Sequence, residues 1–302
     1  MSGFGFWRRW AVIAPPFAWL ALFFLLPIGI VAAISLSQAS DTIPPYTPLV
    51  SQGPQGLAVH ASLDNYRAIA EGDLRAYADS LGYAATATLL CLLLGYPIAF
   101  AIARAPRAWR GLLLFLVILP FWTSLLIRVY AWIAILQPTG LINRALQALG
   151  LIHAPLLLIY NDFSVVLGLV YVYLPFMILP LYGSLSQLDE SLLEAAGDLG
   201  ARPARVFVDI VLPLSLPGVA AGALLVFIPA IGEFVIPDLL GGPGTLMVGK
   251  LLWQTFFDEV DWPGAAALAM GLVALLTAPL LVAQRLAERR DGRAAAAAGK
   301  PA

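Results

Sequence analysis

Six long apolar stretches recur along the chain, at about 11–36, 80–103, 111–136, 163–185, 214–237 and 263–284. Each holds 22 or more mainly apolar residues. At a rise of about 1.5 Å per residue, such a helix crosses roughly 30 Å of hydrocarbon with some tilt. The pattern predicts an all-α integral membrane protein of six transmembrane helices. Pro27, Pro97, Pro120, Pro175, Pro180 and Pro229 fall inside the spans and predict kinks, which membrane helices tolerate better than soluble ones. The long connections at 37–79, 137–162 and 238–262 alternate on one side of the spans. The last is partly apolar and is expected to lie along the membrane surface or dip into it.

One stretch between spans breaks the apolar rule. From Glu194 to Asp209 the chain carries Glu194, Asp198, Arg202, Arg205 and Asp209. Leu188, Leu192, Ala195, Ala196 and Leu199 recur at helical spacing and make one small apolar face. Ser191 with Glu194 three residues later fits a capping box. Gly200 supplies a turn, Arg202 to Ile210 reads as a second short helix, and Pro213 precedes re-entry into the membrane. The segment at about 188–213 is thus expected to be a helix–turn–helix lying on the membrane surface, its charges keeping it out of lipid.

Composition agrees. Of 302 residues, 61% are hydrophobic and 12% charged, against about 25% charged in soluble domains. A net charge of −1 gives no reason to expect nucleic acid as a partner. The single Cys91 excludes an intramolecular disulfide, and His60 and His153 stand too far apart for metal-ligand spacing. No metal and no cofactor are expected. The first apolar run follows Arg8 and Arg9 as a signal peptide's would, but it exceeds the 7–15 residues of a signal core, so it reads as an uncleaved span. No fixed-period repeat is evident, and low complexity is confined to the Ala-rich tail after Asp291.

Basic residues set the orientation. With the N-terminus in the cytoplasm, twelve fall inside: Arg8, Arg9, Arg104, Arg107, Arg110, Arg202, Arg205, Arg285, Arg289, Arg290, Arg293 and Lys300. Four fall outside, namely Arg67, Arg75, Arg144 and Lys250, and Arg128 lies within a span. Both termini and the 188–213 segment are therefore expected in the cytoplasm. The organisation is a cytoplasmic N-terminus at 1–10, a six-span body at 11–285 and a flexible cytoplasmic tail at 286–302.

Glu194-Ala195-Ala196, then Gly200, then nine residues to Ile210 with Leu212-Pro213, resembles the EAA signature of permease subunits of ABC-type importers. The resemblance implies the type I importer permease fold. It also implies that Glu194, Ala195, Ala196, Asp198, Gly200 and Arg202 form the coupling segment, which docks into a cleft of a separate ATPase. "LPFWTSLLIRVYAW" (119–132), "VYVYLPFMILPLYGSLSQLDESLLEAAGDLGA" (170–201) and "LLVFIPAIGEFVIPDLLGG" (224–242) look like polyamine importer permeases, and the likeness runs from about Ala14 to Leu281. "GEFVIPDLLGG" and "IPPYTPL" look more like the putrescine systems than the spermidine-preferring ones. Spermidine or another small solute is the alternative. The family implies a second permease subunit, making a heterodimer, two cytoplasmic ATP-binding subunits, a periplasmic polyamine-binding protein, and the bacterial inner membrane as location.

Two ionisable residues fall within spans, where charge is costly and defaults to function. Counted from Gly111 and Leu216, Arg128 and Glu233 each lie 17 residues along, about 26 Å by helical rise. One reading pairs them, as a gate or a structural lock. The other places Glu233 on the substrate path, receiving an ammonium group. Asp238, Trp122, Tyr130, Trp132, Tyr171 and Tyr173 could add charge and cation–π attraction, or serve as an interfacial belt and ordinary packing.

Rival classes fare worse. Gly244-x-x-x-x-Gly249-Lys250 imitates a P-loop, but Leu251 stands where Ser or Thr should bind magnesium and no strand precedes it. No H-E-x-x-H and no G-x-S-x-G occurs, so the chain reads as a transport subunit rather than an enzyme. A secondary transporter would leave the Glu194–Pro213 segment without a purpose.

Overall fold

In the computed structural model, residues 13–53 and 56–277 are described. The segment 1–10, the tail 286–302 and the end of the sixth span beyond 277 lie outside the described residues. Five helical stretches are long and apolar enough to cross a membrane: α1 Ile13–Ser35, α2 Asp64–Arg104, Leu125–Ala148, α6 Asp162–Leu185 and α8 Pro203–Ile231. A shorter apolar helix, Trp262–Thr277, stands where the sixth span begins. The one sheet among the described residues is a hairpin, β1 Val50–Gly53 paired antiparallel with β2 Gly56–Val59. The protein is thus almost wholly α-helical.

Two expected spans are not continuous. The third divides into α3 Arg107–Ile118, a 3₁₀ turn Leu119–Trp122 and α4 Leu125–Leu136. Pro120 lacks the N–H that would extend α3, and Thr123 and Ser124 swing to extended backbone, with ψ of 149° and 139°. After a turn, α5 Leu141–Ala148 follows. The fifth span ends at Ile231; Gly232–Phe234 are not helical, and α9 Val235–Leu239 restarts the chain.

Proline also reshapes helices it does not stop. In α8, a π-turn at Phe207–Val211 has the Leu212 N–H bonding the Phe207 carbonyl, one residue further back than in an α-helix. Pro213 follows immediately. Its missing donor and its ring would leave the Asp209 carbonyl unpaired and crowded, and local widening relieves both. The Ala21–Leu25 π-turn, with the Leu26 N–H on the Ala21 carbonyl, precedes Pro27 in the same way.

Two compact units divide the chain. Residues up to Leu74 with those from Leu251 onward make one, and Arg75–Lys250 make the other. In the first unit α1 buries none of its large apolar side chains; Phe17, Trp19, Leu20, Phe23 and Phe24 are exposed. Its end is tied down by polar contacts. Ser35 Oγ and Tyr66 Oη share a hydrogen bond of 2.7 Å, and Asn65 Nδ2 donates to the Ser35 and Ser37 carbonyls at 2.9 Å each.

The core of the second unit is α6. Asn161 and Ser164 close its first turn reciprocally as a capping box, and Val165, Leu169, Met177, Ile178 and Leu181 are buried along it. The helix α8 packs against α6 through small residues. A Cβ on Gly218 would sit 2.8 Å from the Pro180 carbonyl oxygen, and one on Gly222 2.8 Å from Met177 Sδ. Contact between membrane helices depends on such close approach, because lipid removes the hydrophobic drive for association. The 238–262 connection is partly folded into the unit. Thr245, Met247 and Val248 are buried, and the Val248 N–H donates to Ser80 Oγ at 2.7 Å.

Candidate functional site

Two regions of the second unit carry the chemistry, at opposite ends of α8, whose 29 residues span about 40 Å by helical rise. At the N-terminal end lies α7 Glu190–Asp198. Its cap is Asp189, not Ser191: the Asp189 carboxylate accepts the Ser191 N–H at 3.0 Å. That hydrogen bond from the Ser191 backbone holds the carboxyl below the usual carboxylate range. The capping box expected at Ser191 and Glu194 is therefore replaced by an aspartate two residues earlier. A carboxylate accepts the orphan N–H groups of a first turn more strongly than a hydroxyl does and also complements the helix dipole.

The helix stops as the sequence requires. Gly200 adopts φ +76°, a conformation that costs other residues about 1–2 kcal/mol. The Gly200 N–H bonds the Gly197 carbonyl and the Ala201 N–H the Ala196 carbonyl, the double bond of a Schellman stop. The second short helix expected over Arg202–Ile210 is not separate. Pro203 opens α8, which runs through the π-turn into the span without interruption. Arg205 pairs with Asp209 along it at 3.6 Å.

The single apolar face expected for α7 divides in two. Ala196 is buried, and Leu193 and Gly197 face a cavity against α8. Leu192, Ala195 and Leu199 point outward, Leu199 with 89% of its surface exposed. Glu194, Asp198 and Arg202 are exposed beside them, and none of the three is in an ion pair within 4 Å among the described residues. Apolar side chains ringed by unpaired charge mark a surface made for contact.

At the C-terminal end of α8, Glu233 sits in the break between α8 and α9. It is 9% exposed. The Tyr173 hydroxyl donates to Oε2 at 2.6 Å and the Val235 N–H to Oε1 at 3.1 Å. Helix α9 packs on α4 and α6, and Gly168 of α6 admits it: a Cβ there would meet Leu240 at 2.7 Å and Ile236 at 2.9 Å.

Arg128 does not pair with Glu233. The ion pairs among the described residues are Arg67–Asp64, Arg75–Asp79, Arg205–Asp209 and Lys250–Asp238. The Arg128 guanidinium lies over the Phe121 ring, 5.5 Å from its centroid, and its Nε is buried without a hydrogen-bond partner. The uniform helical rise behind the expected equal depth does not apply, because both spans break, one before Arg128 and the other just before Glu233.

The remaining expected residues scatter. Tyr173 joins Glu233. Asp238 is held by Lys250, Nζ to Oδ1 3.4 Å. Trp122 is exposed and meets Phe115 edge-on at 5.7 Å, while Tyr130 is exposed. Trp132 and Tyr171 pack edge-to-face at 5.4 Å. The P-loop imitation finds a different use. Gly249 packs directly on the carbonyl oxygens of Gly232 and Glu233, and Lys250 is the partner of Asp238. Sequence reasoning discarded both residues as a false motif. The signal that would have found them is an isolated lysine in a connection close to a carboxylate-bearing span end.

Comparison with known proteins places this geometry. Residues 91–291 match the family described as binding-protein-dependent transport system inner membrane component. The chain is 40% identical over 275 residues to the spermidine/putrescine transport system permease protein PotB of Haemophilus influenzae, covering 90% of this chain and 92% of that one. It is 40% identical over 265 residues to PotB of Escherichia coli, covering 87% and 92%. In fold it is similar to a crystallised bacterial ABC transporter involved in import of the acidic polysaccharide alginate, with a TM-score of 0.63 at 16% identity over 94% of this chain and 96% of the other. With α7 and the Schellman stop carrying the signature residues and the broken spans framing a buried carboxylate, the chain belongs to the family of inner-membrane permease components of binding-protein-dependent transport systems.

Proposed function

We propose that this chain is one of two permease subunits of an ATP-driven polyamine importer, with putrescine as its substrate. The observation that carries the reading is Glu233. It is a carboxylate buried at membrane depth, oriented by Tyr173 and the Val235 N–H, with no basic side chain in ion-pair reach among the described residues. A buried charge without a counter-ion is costly, and a substrate ammonium group relieves that cost as it passes. The identity to spermidine/putrescine permeases over nine-tenths of the chain supports the same substrate class.

In this reading both termini and α7 face the cytoplasm. Residues 11–285 form the permease body, flanked by 1–10 and 286–302. Glu194, Ala195, Ala196, Asp198, Gly200 and Arg202 couple to two ATP-binding subunits. A second, distinct permease completes the path, and a periplasmic polyamine-binding protein delivers the substrate. ATP hydrolysis in the partners moves α7; because α8 begins at Pro203, just past the Gly200 turn that ends α7, and runs to Ile231, that motion reaches the break where the carboxylate lies. This chain itself makes and breaks no covalent bond. Tyr173 and Val235 fix the carboxylate, Asp238, with its charge shared by Lys250, is a second station along the path, and Trp122 and Tyr130 offer it exposed aromatic faces. Arg128 serves the fold.

The test is uptake of labelled putrescine and spermidine in cells lacking polyamine import, with this chain restored alongside its neighbouring subunits. Putrescine-selective uptake that needs ATP and this chain is the expected result. Uptake of spermidine in preference would move the substrate, and no polyamine uptake by a verified complex would overturn the reading.

A further inference from the structure

Two cavities in the second unit share walls. One, of about 300 Å³, opens beside α7 and is lined by Arg104, Leu193, Gly197 and Val211 with Phe100 and Phe207. The other, of about 450 Å³, runs along the membrane-spanning parts of α2 and α8, lined by Leu92, Leu93, Tyr96, Pro97, Leu212 and Val219, again with Phe100 and Phe207. The two common phenylalanines make them one groove with a basic mouth and an apolar length.

The mouth is charged and unneutralised. Arg104 ends α2, and Arg107 and Arg110 follow within six residues. None of the three is in an ion pair within 4 Å among the described residues. Arg110 donates to the Ala105 carbonyl and thereby folds the corner, while Arg104 lies over the Phe100 ring at 5.3 Å. Trp109 is exposed beside them, as indoles at a membrane–water boundary are. The apolar length presents no free polar atom: the Tyr96 hydroxyl is engaged with Ser215 Oγ at 2.8 Å. A cationic mouth at the interface and an apolar groove running along membrane-spanning helices complement one molecule, an anionic lipid lying headgroup-down.

We propose that this groove binds an anionic phospholipid, with its phosphate at Arg104 and an acyl chain between α2 and α8. Leu193 and Gly197 of α7 form part of the wall, so the lipid sits against the proposed coupling helix and sets how α7 rests on α8. Only the choice of leaflet rests on the cytoplasmic placement proposed above. Lipid retention is read without transport, so failure of the polyamine reading leaves it standing.

The experiment uses the full assembled complex in nanodiscs of phosphatidylcholine with phosphatidylglycerol. The lipid kept through detergent release is counted by native mass spectrometry, and ATPase activity is measured in parallel. The wild-type complex is expected to retain phosphatidylglycerol over phosphatidylcholine. Arg104→Gln lowers that retention about fivefold, and Arg104→Lys restores it. Val219→Trp, which fills the apolar length and leaves the arginine in place, lowers it as well. ATPase stimulation by phosphatidylglycerol falls in step. Equal retention of both lipids, or unchanged retention in Arg104→Gln and Val219→Trp, overturns the proposal. If Arg104→Gln does not assemble, the Val219→Trp comparison decides alone.

Discussion

The two ends of α8 are built on different principles. At α7 the structure is local. An aspartate caps, nine residues turn, and a glycine at φ +76° stops; each feature needs only its sequence neighbours. At Glu233 the structure is assembled from afar. The carboxylate is oriented by Tyr173, sixty residues away along the chain, and its backbone is packed by Gly249. The helix that would have carried it has already ended. A short local code can keep a surface constant for a partner, whereas a buried charge in a membrane must be placed by several helices at once.

The largest expected effect breaks the local end. Glu194→Lys reverses the exposed charge beside Leu192 and Leu199 without touching the buried Ala196 side. Uptake should fall about a hundredfold, the upper range of an inter-site coupling, while the chain still reaches the membrane fraction. Normal uptake with the lysine present would end the coupling role. Next comes the assembled end. Glu233→Gln keeps size and the Tyr173 contact but removes charge, and the KM for the diamine should rise at least about tenfold. Tyr173→Phe should do less, about fivefold, the roughly 1 kcal/mol of one positioning hydrogen bond. Exchanging the charges, Arg128→Glu with Glu233→Arg, should give no rescue, because the two side chains do not meet here. A rescue would show that they pair in another state of the transport cycle.

Legibility divided along the same line. The helical class, the fourth span and the stop at Gly200 are written in hydrophobic runs and in one residue's backbone freedom. What escaped were interruptions. Pro120 reads as a kink and Pro213 as the boundary before re-entry into the membrane, yet Pro120 sits in a full break and Pro213 is absorbed in a continuous helix by a π-turn. Proline lacks the N–H donor in both cases, but packing decides which remedy is used. The reading that pairs Arg128 with Glu233 rests on counting residues along uninterrupted helices, and that count fails at the first break. Lys250 and Gly249 were dismissed because a motif comparison asks only whether they bind nucleotide, while the fold uses them to hold Asp238 and the Glu233 backbone.

The smaller effects sharpen the comparison at the local end. Gly200→Ala meets no neighbour, since nothing lies within 4 Å of a Cβ there. Its whole cost is backbone, about 1–2 kcal/mol, taken from the stop of α7. Hydrogen exchange of the α7 amides should therefore quicken without loss of α8 protection. If protection of α8 fell equally, α7 and α8 would be one cooperative unit, and the local description of this end would fail.

Asp189→Ala should give the smallest change and the one with a pH signature. Because the Ser191 N–H holds the Asp189 carboxyl below its ordinary range, the ionised cap stabilises the folded α7. A depressed folded pKa contributes stability that is complete above the unfolded carboxylate value and is lost as pH falls through the folded one. Exchange of the α7 amides in the wild type should thus accelerate as pH drops into and below the carboxylate range, after correction for intrinsic rates. In Asp189→Ala that acceleration should be absent and the fast rate present at neutral pH. Asp189→Asn, which keeps an acceptor for the Ser191 N–H without a titrating charge, should hold α7 nearly as well and lose the pH dependence. If all three proteins shared one pH profile, the cap would reside elsewhere in the first turn, and the part of this region attributed to a single local carboxylate would have to be reassigned.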